Sequence, residues 1–206
     1  DIDTKTDYNF TVSKCDITNY SEVKNFVKEC THVVHLAGIV DVKSSLEKPQ
    51  VVWGVNSQGT ANLLEASRIS RIKKFVYAST NSVYGQYPYI EGGITEDYPI
   101  CPVNPYGASK ASGELLIESY RKTFNMRTVC LRFAGVYGPG KLGNVFDIFV
   151  RKAIAGEELT VTGKNQSRNF TYIDDALNSL KLAIFEDAEG IFNISGGKST
   201  KVLSIA

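Results

Sequence analysis

Phe75-Val76-Tyr77-Ala78-Ser79-Thr80-Asn81-Ser82-Val83-Tyr84-Gly85 starts as an unbroken apolar run and ends in small polar residues and a glycine. An apolar run without alternation fits a strand buried on both faces, the kind parallel sheets contain. Val33-Val34-His35-Leu36-Ala37 is a second such run, residues 128–131 a third and residues 10–15 a shorter fourth. Helical patterns separate them. Asn19-Tyr20-Ser21-Glu22 has the spacing of a capping box, and Val23, Phe26 and Val27 then recur at helical intervals. Residues 55–67, with Ala61 and Leu64 three apart, and the long stretch 106–124 read as further helices. Strand and helix in alternation predict an α/β fold, a parallel sheet covered by helices on both sides.

The pattern changes after Gly138, where Pro139-Gly140 breaks the chain. Residues 145–155 predict a helix with Phe146, Phe149, Val150 and Ala153 on one side. Residues 159–162 and 190–194 predict short strands. Residues 174–185 predict a helix with an aspartate at its start, a favoured cap. Phe146, Phe149 and Leu177 read as core. The segment 85–105 is long for a loop, and such loops often carry function.

Composition narrows the function classes. The 206 residues are 43% hydrophobic and 22% charged, with a net charge of +1 and no basic block. This gives no basis for nucleic acid or an anionic membrane as partner. No apolar run reaches the roughly 18 residues of a membrane helix, and residues 1–7 are polar, without a signal-peptide core. The four cysteines lack a C-x-x-C spacing. Cys15 and Cys130 fall in strand-like runs, where a free cysteine behaves as a small buried hydrophobe. Two histidines in one short stretch make a poor zinc site. A reduced, cytoplasmic protein is the expectation.

Chemistry concentrates in Tyr106-Gly107-Ala108-Ser109-Lys110. Residues four apart share a helix face, so the Lys110 ammonium can stand near the Tyr106 hydroxyl. A positive neighbour favours the phenolate, which makes tyrosine a usable base for an alcohol hydroxyl. Alone, the pair also fits an ordinary exposed helix start. Thr80 adds context: it ends a buried strand, and open parallel sheets bind ligands beyond the carboxyl ends of their strands. The plainer reading of residues 79–82 is a polar turn.

Taken together these segments resemble the extended short-chain dehydrogenase/reductase family. Ser79-Thr80-x-x-Val83-Tyr84-Gly85 followed by Pro105-Tyr106-x-x-x-Lys110 is similar to its active-site pattern. His35-Leu36-Ala37-Gly38, Val55-Asn56-Ser57-Gln58-Gly59-Thr60, Leu131-Arg132-Phe133-Ala134-Gly135-Val136-Tyr137-Gly138-Pro139 and Arg168-Asn169-Phe170-Thr171-Tyr172-Ile173-Asp174-Asp175 resemble further family segments in the same order. The resemblance implies a Rossmann-like doubly wound sheet across residues 1–138 and part of a small substrate-binding region across 139–206, interleaved with the sheet. It implies NAD as cofactor, with NADP not excluded, a nucleotide sugar as substrate, and a possible homodimer. Residues 112–120 could serve that dimer or could simply be core.

By the same resemblance Tyr106 is the acid/base, Lys110 binds the nicotinamide ribose, and Thr80 orients the sugar hydroxyl. Asp16 contacts adenine beside Ile17. Leu36, Ala37, Gly38, Ser79 and Phe133 line the cofactor, and Asn56 supports the site or merely caps a helix. Asn81, Ser82, Asn144, Val145 and Phe170 reach the substrate, and Arg168 meets its diphosphate, a role suited to a guanidinium fork.

Three departures stand out. No Gly-rich phosphate loop precedes the first helix, and both ends look cut short. Gly135 stands where many UDP-sugar 4-epimerases carry asparagine. Asn81 and Ser82 stand where nucleotide-sugar 4,6-dehydratases carry two carboxylates, which disfavours elimination chemistry. The implied reaction is nucleotide-sugar 4-epimerisation, ahead of a 4-ketoreductase or dehydrogenase and of a non-catalytic protein on the same fold.

Overall fold

Strand β2 (Lys74–Thr80) lies inside a four-stranded sheet of order β1-β2-β3-β6, with β1 (His32–His35), β3 (Thr128–Phe133) and β6 (Gly190–Ile194). All three pairings are parallel. The structure, a computed structural model, describes residues 11–86, 90, 92–140, 142–161 and 166–205.

The unbroken apolar run of β2 has the reason the sequence suggested: both faces are covered. Phe75 and Tyr77 join Val23, Val27, Leu64, Ile117 and Cys130 in one cluster. Those partners come from α1 (Tyr20–Val27), α4 (Gly59–Ile69), α5 (Pro105–Phe124) and β3. Val76 points the other way, to Val129, Leu131 and Ala183, the last on α7 (Ile173–Phe185). Each fully buried large side chain contributes about 1.5–3 kcal/mol, so this two-sided core holds the sheet that positions everything below.

The caps follow the sequence with small changes. Asn19 caps α1 by accepting from the amides of Ser21 and Glu22, and Glu22 reaches back to the amide of Asp16 at 2.9 Å. The helix expected at 55–67 is longer. It begins with α3 (Pro49–Trp53), after a short α2 (Val42–Glu47), and passes through a π-helical turn (Gly54–Gln58) into α4. The second sheet is β4-β5-β7: β4 (Gly135–Tyr137) runs parallel to β5 (Ser167–Tyr172), and β7 (Ser199–Lys201) antiparallel to it. α6 (Val145–Ala155) has the predicted bounds.

Four expectations are corrected. Residues 11–15 form no strand, so Cys15 is half-buried outside one, and residue 10 lies outside the described residues. Residues 159–161 form no strand either, and residue 162 lies outside the described residues. A strand exists only through its ladder, and neither segment has a partner among the described residues. Asp174 is not the cap of α7: Tyr172 holds that position, and Asp174 sits in the first turn, where its charge complements the helix dipole. Leu177 is 46% exposed rather than core, because α7 turns Ala176 and Ala183 inward instead.

Candidate active site

Helix α5 presents the central residues. Asn104 caps it, accepting from the Gly107 amide at 2.8 Å, and Pro105 occupies the first turn, where its missing N–H costs nothing. Gly107 is required by close approach: a Cβ there would lie 2.7 Å from the Ser82 carbonyl oxygen. The first turn of α5 can therefore press on the 3-10 turn Asn81–Tyr84 that follows β2. Gly85 ends that turn at φ 69, against the Cys101 carbonyl.

This contact brings Tyr106 to Thr80. Both are buried, at 8% and 7% exposure, and the Thr80 hydroxyl stands close enough to influence the Tyr106 phenol. The Thr80 hydroxyl also accepts from the Ser82 amide at 3.2 Å and faces the Ser82 hydroxyl. Burial pushes the Tyr106 phenol above its ordinary value, while the neighbouring Thr80 hydroxyl pulls it down. Lys110, expected to dominate that balance, instead rests its ammonium on the π-face of Tyr77, 4.3 Å from the ring centroid. Burial lowers Lys110 to about 8, with Cys130 and Glu114 opposing. Among the described residues no carboxylate pairs with it.

Asn56 is no cap. It is buried within the π-helical turn, accepts from the Ile39 amide at 2.8 Å, and donates to the Ile39 carbonyl at 2.9 Å and to the Ser109 hydroxyl at 3.0 Å. It thereby ties the segment after β1 to α5. Gly38 lets it in: a Cβ would lie 3.0 Å from the Asn56 side-chain oxygen. Leu36, Ala37 and Gly38 stand exposed beyond the carboxyl end of β1. Asp16 is exposed and holds the Thr18 amide and hydroxyl, while Asn62 grips the carbonyls of Ile17 and Thr18.

The remaining expected residues lie on other elements or have partners of their own. The Ser79 hydroxyl donates to buried Glu114, and Phe133 packs toward the α7 side. Asn144 spends its side-chain oxygen capping α6 through the Asp147 amide at 2.9 Å, with Val145 as the first helical residue. Phe170 belongs to an aromatic cluster with Phe146, 4.7 Å away, and Tyr137. Arg168 is exposed on β5 opposite Thr200 and has no carboxylate partner among the described residues. Sequence reading missed Glu114 and its buried partner Arg132. No local signal in the sequence marks either charge as buried or joins the two.

The sequence profile described as "NAD dependent epimerase/dehydratase family" matches residues 2–195. A UDP-glucuronate 4-epimerase of Thermodesulfobacterium geofontis is 34% identical over 196 residues, covering 93% of this chain and 60% of its own length. A dTDP-glucose 4,6-dehydratase of Streptomyces niveus is 29% identical, covering 96% and 59%. The crystal structure of the UDP-glucose 4-epimerase of Thermus thermophilus in complex with NAD superposes with a TM-score of 0.84 at 32% identity, over 92% of this chain and 65% of that one. The chain thus spans about 60% of the length of the curated relatives it matches. It belongs to the NAD dependent epimerase/dehydratase family.

Proposed function

We propose that the full-length protein is an NAD-dependent nucleotide-sugar 4-epimerase. The observation that carries this reading is the burial of Tyr106 beside Thr80 at the carboxyl end of β2, with Asn81 and Ser82 following in place of carboxylates. The first pair suits proton exchange with a sugar hydroxyl. The second offers no acid or base for eliminating water.

The residues present fit a dinucleotide. A buried ammonium without a carboxylate partner among the described residues can donate to ribose hydroxyls, and exposed apolar Leu36 offers a surface at the strand end. When bound, NAD would accept a hydride from the sugar and return it. Tyr106 would take the proton of the reacting hydroxyl and later give it back, and Thr80 would orient that hydroxyl. Lys110 would supply the positive charge that makes the phenolate accessible. Arg168, exposed and without an ion-pair partner among the described residues, suits the substrate diphosphate, and Phe170 on the same strand and Asn144 at the start of α6 are the further substrate candidates.

The test is incubation of the full-length protein with UDP-glucose, and separately UDP-N-acetylglucosamine, without added cofactor, with C4 configuration followed by NMR. Conversion to the galacto form that Tyr106→Phe abolishes supports the reading. A change in NAD(P)H absorbance only when cofactor is added would reassign the protein as a reductase or dehydrogenase.

A further inference from the structure

Arg132 sits at the carboxyl end of β3, in register with Ser79 on β2, and is 4% exposed. Its guanidinium is divided between two directions. Nε lies 3.1 Å from both carboxylate oxygens of Glu114, and Nη2 donates to one of them at 2.7 Å. Nη1 turns away, donating to the Tyr84 hydroxyl at 2.7 Å and the Glu96 carbonyl at 2.9 Å. The ring of Tyr84 also lies against the guanidinium, 4.8 Å from its carbon.

Each partner leads to a different part of the site. Glu114 stands on α5 one turn beyond Lys110 and two beyond Tyr106, and it accepts from the Ser79 hydroxyl, next to Thr80. Tyr84 ends the turn on which α5 rests and donates to the Asn193 side chain at 2.7 Å. Asn193 holds the loop before α5 from the other side: its amide donates to the Glu96 carboxylate at 2.7 Å and its side chain to the Ile94 carbonyl at 2.9 Å.

We propose that Arg132 is a positioning residue that fixes α5 on the sheet and fastens the loop 92–104 to the ends of β3 and β6 in a single arrangement. The proposal rests on the reading of Tyr106 as the acid/base. A lysine could keep the charge opposite Glu114, but it lacks the fork that serves both directions. A catalytic tyrosine displaced by about 1 Å can lose on the order of 100-fold in rate.

The experiment compares wild type, Arg132→Lys and Tyr84→Phe in the full-length, NAD-loaded protein, by amide hydrogen exchange and by kcat and KM for the nucleotide sugar. Arg132→Lys should speed exchange at least ~10-fold both in residues 92–101 and in the first turn of α5, and lower kcat about 100-fold with a smaller change in KM. Tyr84→Phe leaves no buried charge unpaired and so remains informative if Arg132→Lys does not fold. It should loosen 92–101 alone, raising KM with kcat nearly kept. Wild-type exchange in both segments of a folded variant overturns the proposal, even where Tyr106→Phe abolishes turnover. Faster exchange together with a Tyr106→Phe variant of normal activity would keep the positioning role and remove the epimerase reading.

Discussion

Gly113 of α5 lies directly against Tyr77 of β2: a Cβ at position 113 would stand 2.5 Å from the Tyr77 hydroxyl. The same phenol ring carries the Lys110 ammonium on its face. One residue of the sheet therefore sets both how close α5 approaches and where its lysine rests. Gly113→Ala should push the helix off the sheet and destabilise the protein by about 1–3 kcal/mol, as overpacking does in dense cores. Urea unfolding measures the loss. Because α5 also carries Tyr106, kcat should fall by more than KM rises.

Asn56 spans three segments with one amide: the backbone after β1, its own π-helical turn, and Ser109 on α5. Asn56→Ala leaves the Ile39 peptide without these partners. The expected cost is about 1–3 kcal/mol for each unsatisfied group, read from chemical denaturation. Asn56→Asp keeps the acceptor for the Ile39 amide but sets a carboxylate against the Ile39 carbonyl, so it should be no better than alanine. Equal stability of wild type and Asn56→Ala would show that the segment after β1 does not depend on this clamp.

How much of this was legible in the sequence depends on distance along the chain. The apolar run of β2, the Asn19 cap and the bounds of α6 are local patterns, and they formed as read. Thr80 at the end of β2 and Tyr106 in the first turn of α5 also fall where those local patterns put them. The Glu114–Arg132 pair was not legible, since nothing local marks a charge at residue 114 as buried or aims it at residue 132. Lys110 shows the same limit. Helical spacing put it on the face of Tyr106, but the attraction of an aromatic face on a strand decided where its ammonium lies. Residues 11–15 read as a strand by composition, whereas a strand needs a partner that composition does not supply.

His35 predicts a particular acid sensitivity. Its ring is buried against Phe75 and Tyr77, one nitrogen bonds the Thr60 hydroxyl at 2.9 Å, and the other has no hydrogen-bond partner among the described residues. Burial, with Lys110 adding to it, lowers the imidazole from 6.5 to about 3. The unfolded chain takes up a proton below pH 6.5 that the native state refuses until about 3. The His35 contribution to stability is thus complete above pH 6.5 and is lost as pH falls through that window, by about 2–3 kcal/mol at pH 4.5. Carboxylates add their own acid loss, so the informative quantity is a difference. His35→Leu should lose less stability than wild type between pH 7 and 4.5 in parallel urea titrations. Identical losses would mean that the imidazole titrates in the folded protein.

Lys110 predicts the opposite limb. Its ammonium faces Tyr77 from β2, His35 from β1, Cys130 from β3, and Glu114 from its own helix. Burial is the largest influence and brings it to about 8 from an ordinary 10.5. Between those values the unfolded chain holds a proton that the native state has released. Burying this ammonium therefore opposes folding below pH 8, and the opposition eases as pH rises through the window. Activity should respond in the other direction. If Lys110 acts as a cation beside Tyr106, kcat should fall with unit slope above about pH 8 while stability does not fall with it. Lys110→Arg should carry the plateau to higher pH, because a guanidinium does not titrate there, and Lys110→Met should lose most activity at every pH. The measurement is kcat from pH 6 to 10 with saturating nucleotide sugar, alongside thermal melts. A limb that stays at the same pH in Lys110→Arg would assign the titration to Tyr106 or another group and leave Lys110 a role in binding alone.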